Sequence, residues 1–200
     1  MTAPNLPERA TNPVLTGVLA WAIAVTIPLL LLLPAFWNGY AVLQSDTGGY
    51  LARWYEGYLV PSRSTVFGLY LHVGENSDFW INLGVQALAT LWILQLSLRV
   101  LNLAQPFRLL TVSLSLILTT ALPWLTSLLL TDIFAGLAVL SLFILIAHGA
   151  RISALEKFSL FLFTAFAAAT HSATLGVLFG LCVLSLLAKP VLREEIVWSA

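Results

Sequence analysis

Charge is what this sequence has least of. Nine basic and nine acidic side chains make up 9% of 200 residues and cancel to a formal net charge of zero. No basic field is therefore available to hold nucleic acid. A single cysteine, Cys182, stands in an apolar run. It excludes an internal disulfide framework and is expected to pack as a small hydrophobe. There is no zinc or iron–sulfur ligand set, no Gly-x-Ser-x-Gly elbow and no phosphate-binding glycine loop. A Ser/His/Asp triad could be assembled on paper from the many serines, which deprives it of weight. No internal repeat of a transporter type is visible.

What fills the chain instead is apolar sequence, 60% of all residues. In long runs, that balance belongs to an integral membrane protein. A bilayer core of about 30 Å needs roughly 20 helical residues. Val14–Phe36 supplies 23 uncharged residues, followed by Trp37 and Tyr40 as interface anchors. It is too long for a secretory signal and reads as a retained span, with Pro28 and Pro34 as its kink or end points. Phe79–Leu98 is the second span, closed by Arg99. Leu109–Ala147 is 39 residues broken only by Pro123 and Asp132. As one helix it would reach about 58 Å, so it must turn back between those two residues. Phe158–Ala188, 31 residues, is expected to form two short helices meeting near His171. The reading is all-α: a polytopic transmembrane helical bundle of about six spans, with an amphipathic, helix-containing first outer loop over 37–77. Residues 1–200 form one module, expected to be the amino-terminal part of a larger protein.

Charge orients the bundle. Under six spans Arg9, Arg99, Arg108, Arg151, Lys157, Lys189 and Arg193 share one side, and only Arg53 and Arg63 take the other. Seven against two is the positive-inside pattern, with a cytoplasmic amino terminus in an inner membrane. It also sends Asp46, Asp132 and His171 to one outer face, which makes them a candidate site.

The first outer loop holds most of the polar chemistry, in the stretch QSDTGGYLARWYEGYLVPSRSTVFGLYLH from Gln44 to His72. Asp46 suits a general base or a metal-bridging carboxylate, or, with Ser45, the cap of a following helix. Tyr50, Trp54 and Tyr58 recur every four residues, as on one face of a helix lying along the interface. Gly48 and Gly49 would let a ligand or another backbone approach. Arg63 runs against the topological bias and presents a planar fork for phosphate oxygens; a pair with Glu56 or Glu75 is the plainer alternative. Arg53 is open to pairing with Glu56 at i,i+3. Asp132, flanked by apolar residues, is a functional candidate by its cost in the membrane, or a helix cap together with Thr131. His171 is a phosphate donor or proton shuttle, or a packing residue bonded to Thr170, Ser172 or Thr174. His72 has the same two readings, and His148 belongs to the other side.

Three segments in this order resemble the amino-terminal half of the GT-C membrane glycosyltransferases, among them the lipid A aminoarabinose and protein O-mannosyltransferases. They are Ser45-Asp46-Thr47-Gly48-Gly49-Tyr50 with Pro61-Ser62-Arg63-Ser64 leading to Tyr70, then Thr131-Asp132-Ile133-Phe134-Ala135-Gly136, then Ala168-Ala169-Thr170-His171-Ser172-Ala173-Thr174. The resemblance covers most of residues 14–188. It implies a polyprenyl-phosphate-linked sugar donor and inversion at the anomeric carbon. Asp46 would be the acceptor-activating base and Asp132 a second acidic residue. Arg63 and His171 would take the donor phosphate, with Arg53, Tyr50 and His72 as further substrate contacts. Two departures stand out: histidine replaces the usual basic residue of the third segment, and no acidic neighbour stands beside Asp46. The second departure leaves a divalent metal without support, and the acceptor stays open. Two rivals compete with this reading. A non-catalytic membrane scaffold would tolerate loss of Asp46 and Arg63, and a transporter or flippase would need polar residues continuing to the cytoplasmic side.

Overall fold

The computed structural model describes residues 13–198, with side chains over 17–188. Arg9 lies outside the described residues, as do the side chains of Lys189 and Arg193. The chain is all-helical: α1 (Pro13–Leu31), α2 (Leu33–Asn38), α3 (Ser45–Tyr55), α4 (Thr65–Gly74), α5 (Trp80–Val100), α6 (Pro106–Thr119), α7 (Leu122–Ser127), α8 (Asp132–Ala147), α9 (Ala154–Thr170) and α10 (Ser172–Trp198). Among the described residues one helix, α5, is long and apolar enough by length and composition to cross a membrane.

Side-chain contacts place the long helices between two ends of the molecule. At one end, Tyr70 of α4 donates from its hydroxyl to the Asn82 carbonyl near the start of α5 (2.7 Å). At the other end Arg99 pairs with Glu156 at the start of α9 (2.7 Å), and the Arg151 guanidinium donates to the Val100 carbonyl (2.6 Å). Asn82 and Arg99 lie on one helix, about 25 Å apart at the α-helical rise. α9 returns from Glu156 to the first end, where Ala169 meets Ser64. α10 then leaves the break at His171 and packs back on α8 and α9. A break at His171 and a reversal before Asp132 are observed, but α6 stops at Thr119, ahead of Pro123, which lies within α7. Pro28 lies inside α1 without ending it, and α10 is 27 residues long rather than a short helix.

The first apolar run breaks near Pro34, which lacks a backbone donor. α1 ends at Leu31 and α2 begins at Leu33. Ser127, fully buried, inserts its hydroxyl into the gap, accepting from the Ala35 amide (3.3 Å) and donating to the Leu31 carbonyl (3.4 Å). Those two groups would otherwise bond each other across one helical turn. A serine 92 positions away in sequence from Ala35 thus repairs the ladder that the proline region opens.

Ser127 ends α7 and leads into a short connector that organises the site end. Gln86 of α5, with no exposed surface, donates through Nε2 to the carbonyls of Thr126 (2.9 Å) and Leu128 (3.0 Å). The Val42 amide donates to the Ser127 carbonyl (2.9 Å), and the Leu129 amide donates to the Val42 carbonyl (3.1 Å). The Thr47 hydroxyl donates to the Leu129 carbonyl (3.0 Å). A non-helical segment inside an apolar bundle must have its polar backbone paired in this way. Here the partners come from α3, the segment before it and α5.

Beneath the connector, aromatic rings lock the first loop into the bundle. Phe134 of α8 meets Tyr70 edge-on (5.4 Å between centroids) and Phe166 of α9 likewise (5.2 Å), while Phe67 meets Phe134 at 6.2 Å. The loop is therefore packed core as much as surface. Its two helices nearly touch at Gly68, where a β-carbon would stand 2.5 Å from the Tyr50 carbonyl oxygen. No side chain fits there without moving α3.

Candidate functional site

Asp46 and Arg63 form one ion pair, with Nη2 of the arginine 2.5 Å from Oδ1 of the aspartate. The sequence left Arg63 open to Glu56, Glu75 or a phosphate; its intramolecular partner is Asp46. Several local features aim the guanidinium. Val60 to Arg63 closes a turn, the Arg63 amide donating to the Val60 carbonyl (3.2 Å). Pro61 takes the second position and Ser62 the third at φ 66°, the arrangement of a type II turn. Gly49 leaves room for the arginine stem, since a β-carbon there would lie 3.3 Å from its Cγ and Nε. Tyr50, expected as a substrate contact on the interfacial face, is instead buried, its ring 5.6 Å from the guanidinium carbon and edge-on to Phe67. It acts as a floor under the cation.

Asp46 is not the cap of α3. Gln44 is the N-cap residue: the Thr47 amide donates to its backbone carbonyl (3.0 Å), and the Thr47 hydroxyl accepts from the Gln44 amide (3.1 Å). Asp46 sits in the first turn, where a carboxylate also suits the helix dipole. Its side chain is about half exposed, at 47%.

Ser64, next to Arg63, carries a junction of its own. Its hydroxyl oxygen accepts from the amides of Val66 (3.1 Å) and Phe67 (3.4 Å), capping α4, and donates to the Ala169 carbonyl (2.7 Å) at the end of α9. That carbonyl has lost its helical donor because α9 stops at Thr170. Ser64→Ala should cost about 1–2 kcal/mol of stability through the lost cap, and Ser64→Thr should recover most of it. Thermal unfolding of the purified variants in detergent checks both.

The three predicted segments are thus tied at one end of the molecule. Thr47, beside Asp46, bonds Leu129, three residues before Asp132; Ser64, beside Arg63, bonds Ala169, two residues before His171. Asp132 opens α8 with its side chain exposed, and the N-cap residue Thr131 makes no side-chain capping bond. His171 is the half-buried, extended residue between α9 and α10.

Arg53 and His72 lie apart from the pair. Rather than bonding Glu56, Arg53 places its guanidinium carbon 5.9 Å from the Trp54 ring. His72 stacks on Trp54 at 4.7 Å and shares a 2.8 Å hydrogen bond with Glu75. They form a separate cluster along α3 and α4.

Sequence reading missed the polar stripe of α5. Asn82, Gln86 and Thr90 recur every four residues and are all buried. The Tyr70 hydroxyl sits on this stripe, 3.4 Å from Gln86 Oε1. Burial holds the Tyr70 phenol well above its ordinary pKa, so it stays a donor. Polar residues on one stripe of an otherwise apolar helix were the available signal.

Among the described residues no group of three His, Cys, Asp or Glu side chains could hold a metal ion. With Asp46 facing a guanidinium, the residues present do not fit a divalent cation. A cavity of about 110 Å³ lies at the opposite end, lined by Ile23, Arg99, Gln105 and Leu109 among others, and contains none of the predicted site residues. Compared with family models, curated proteins and solved structures, the chain matches none.

Proposed function

We propose that the chain is a multi-pass membrane glycosyltransferase that moves a sugar from a polyprenyl-phosphate-linked donor to a hydroxyl acceptor at the extracytoplasmic face. The observation that carries this reading is the Asp46–Arg63 pair, tied through Thr47 and Ser64 to the segments holding Asp132 and His171. A base for the acceptor and a cation for the leaving phosphate are the two groups such a transfer needs.

Six membrane passages, by α1 with α2, α5, α6, α8, α9 and α10, are part of the proposal. What supports them is apolar surface: Trp21 is 76% exposed, Leu118 80% and Phe179 69%, on three different helices. Such side chains facing water would be costly, whereas lipid accepts them. Length argues less strongly: α6 has 14 residues and α8 has 16. They reach about 21–24 Å against a core of about 30 Å and require local thinning of the bilayer. Arg99 and Arg151 at the end opposite Arg63 agree with a cytoplasmic side there.

In this reading an acceptor hydroxyl attacks the anomeric carbon while the bond to the phosphate oxygen breaks. The bonding pair leaves with the phosphate, and the hydroxyl proton passes to Asp46. Arg63 takes up the charge on the leaving group, and Asp132 and His171 line the approach. The test is transfer of radiolabelled sugar from polyprenyl-phosphate donors in proteoliposomes. Activity in the wild type and its loss in Arg63→Ala are expected; equal activity in the two would remove Arg63 from the site.

A non-catalytic scaffold is the second reading, favoured by Asp46 and Arg63 satisfying each other in an ion pair. It predicts that neither Asp46 nor Arg63 affects anything beyond stability. The transporter reading loses ground because Gln86 of the α5 stripe bonds backbone carbonyls instead of lining a path.

A further inference from the structure

We propose that Asp46 is a resident counter-ion in the anion site of Arg63, that a lipid-linked phosphate binds by displacing it, and that this exchange readies Asp46 as the base. The inference rests on the glycosyl-transfer reading and adds an order of events to it. Three observations lead there.

First, the arginine is built in while the aspartate is not. Arg63 is aimed by the turn over Pro61-Ser62, floored by Tyr50 and anchored through Ser64 to α9. Asp46 projects from the first turn of α3 with about half its side chain in solvent, and the cap of that helix is made by Gln44 and Thr47. The carboxylate can swing away without unmaking any of the bonds that hold α3.

Second, the pair is open. Arg63 is 29% exposed, so the joint is reached from outside. Ion pairs this accessible stabilise little, and a phosphate offers the guanidinium a bidentate partner in place of the single short contact to Oδ1.

Third, the two catalytic demands conflict while the pair stands. The Asp46 oxygen that accepts from Arg63 is not free to take an acceptor's proton, and the Arg63 nitrogen that donates to Asp46 is not free for the leaving group. Binding the donor phosphate on Arg63 removes both conflicts at once. The acceptor hydroxyl then loses its proton to Asp46 as its oxygen bonds the anomeric carbon, and the phosphate departs with the bonding pair onto Arg63. Without the donor, Oδ1 of Asp46 stays engaged by Arg63.

The consequence is counter-intuitive: removing the charge of Asp46 should strengthen donor-phosphate binding while transfer is lost. Farnesyl phosphate is the probe, titrated into the detergent-solubilised full chain by calorimetry, with farnesol as the uncharged control. Asp46→Asn and Asp46→Ala are expected to bind about two- to fivefold more tightly than wild type, the range that an exposed ion pair's strength allows. Arg63→Gln is expected to bind about tenfold or more weakly, and adding Asp46→Asn to it should change nothing further. If both Asp46 variants keep wild-type helix content and bind no tighter than wild type while Arg63→Gln still loses binding, the exchange is wrong and the transfer reading stands. If Arg63→Gln binds as wild type does, the phosphate is not at Arg63 and both fail. Unfolding of Asp46→Asn and Asp46→Ala alike would also overturn the inference, since it requires a carboxylate that folding does not need.

Discussion

Replacing Asp46 by asparagine is expected to lower sugar transfer by roughly 10²- to 10⁴-fold, the usual contribution of a general base, while the protein stays folded in its membrane. The structure makes this substitution unusually informative. Had Asp46 capped α3, asparagine would have tested helix stability together with chemistry. Gln44 and Thr47 cap that helix instead, and the partly exposed side chain carries no packing role that the isosteric amide would lose. An asparagine oxygen can still accept from Arg63 but cannot take a proton at neutral pH. Transfer assays alongside helix content and detergent-solubilised yield separate the two effects. Undiminished transfer would remove Asp46 from catalysis.

The second large effect is expected at Gln86, which touches no substrate. Gln86→Leu keeps the size of the side chain and removes both donations to the connector between α7 and α8. The carbonyls of Thr126 and Leu128 would be left without those partners, while the Tyr70 hydroxyl keeps its bond to the Asn82 carbonyl. Each unpaired buried group costs about 1–3 kcal/mol, so a loss of about 2–5 kcal/mol is expected. Because the same connector holds Val42 and Thr47, transfer should fall as well. Gln86→Glu is a sharper control: it keeps an acceptor for Tyr70 but cannot donate when ionised, so most of the loss should persist. Thermal unfolding in detergent measures both variants; a change under about 0.5 kcal/mol, the range of ordinary surface substitutions, would mean that the connector is held by its other bonds.

These two residues mark what could and could not be read from sequence. Asp46 and Arg63 were legible because ionisable groups are scarce in apolar sequence, so each one needs a reason. The break at His171 and a reversal within Leu109–Ala147 were legible from helix length against bilayer thickness. The first break, however, falls at Leu32 rather than at Pro34, and the reversal opens after Thr119, ahead of Pro123. The pairing of Asp46 with Arg63, in preference to Glu56 or Glu75, was not legible. It depends on a turn that places Ser62 in the left-handed region and on Gly49 leaving room for the arginine stem. Tyr50 was misjudged because a four-residue period shows that a face exists but not what covers it. Here α4 covers it through Phe67. The connector escaped notice for another reason: its bonds are made by backbone atoms of Val42, Ser127 and Leu129, and those carry no residue-type signal. Only Ser127 and Gln86 left a trace, as polar residues in apolar surroundings.

Transfer by these residues requires three distant segments to open on one side of a membrane. Single cysteines at Ser62, Asp132 and His171, and at Leu103 and Ala150 near the other end, in a Cys182→Ser background, can be probed on intact cells with a membrane-impermeant maleimide. The first three are expected to label from outside, and Leu103 and Ala150 only after permeabilisation. If Ser62 labels from outside while Asp132 or His171 requires permeabilisation, the three segments do not share a face, and the site proposed here does not exist.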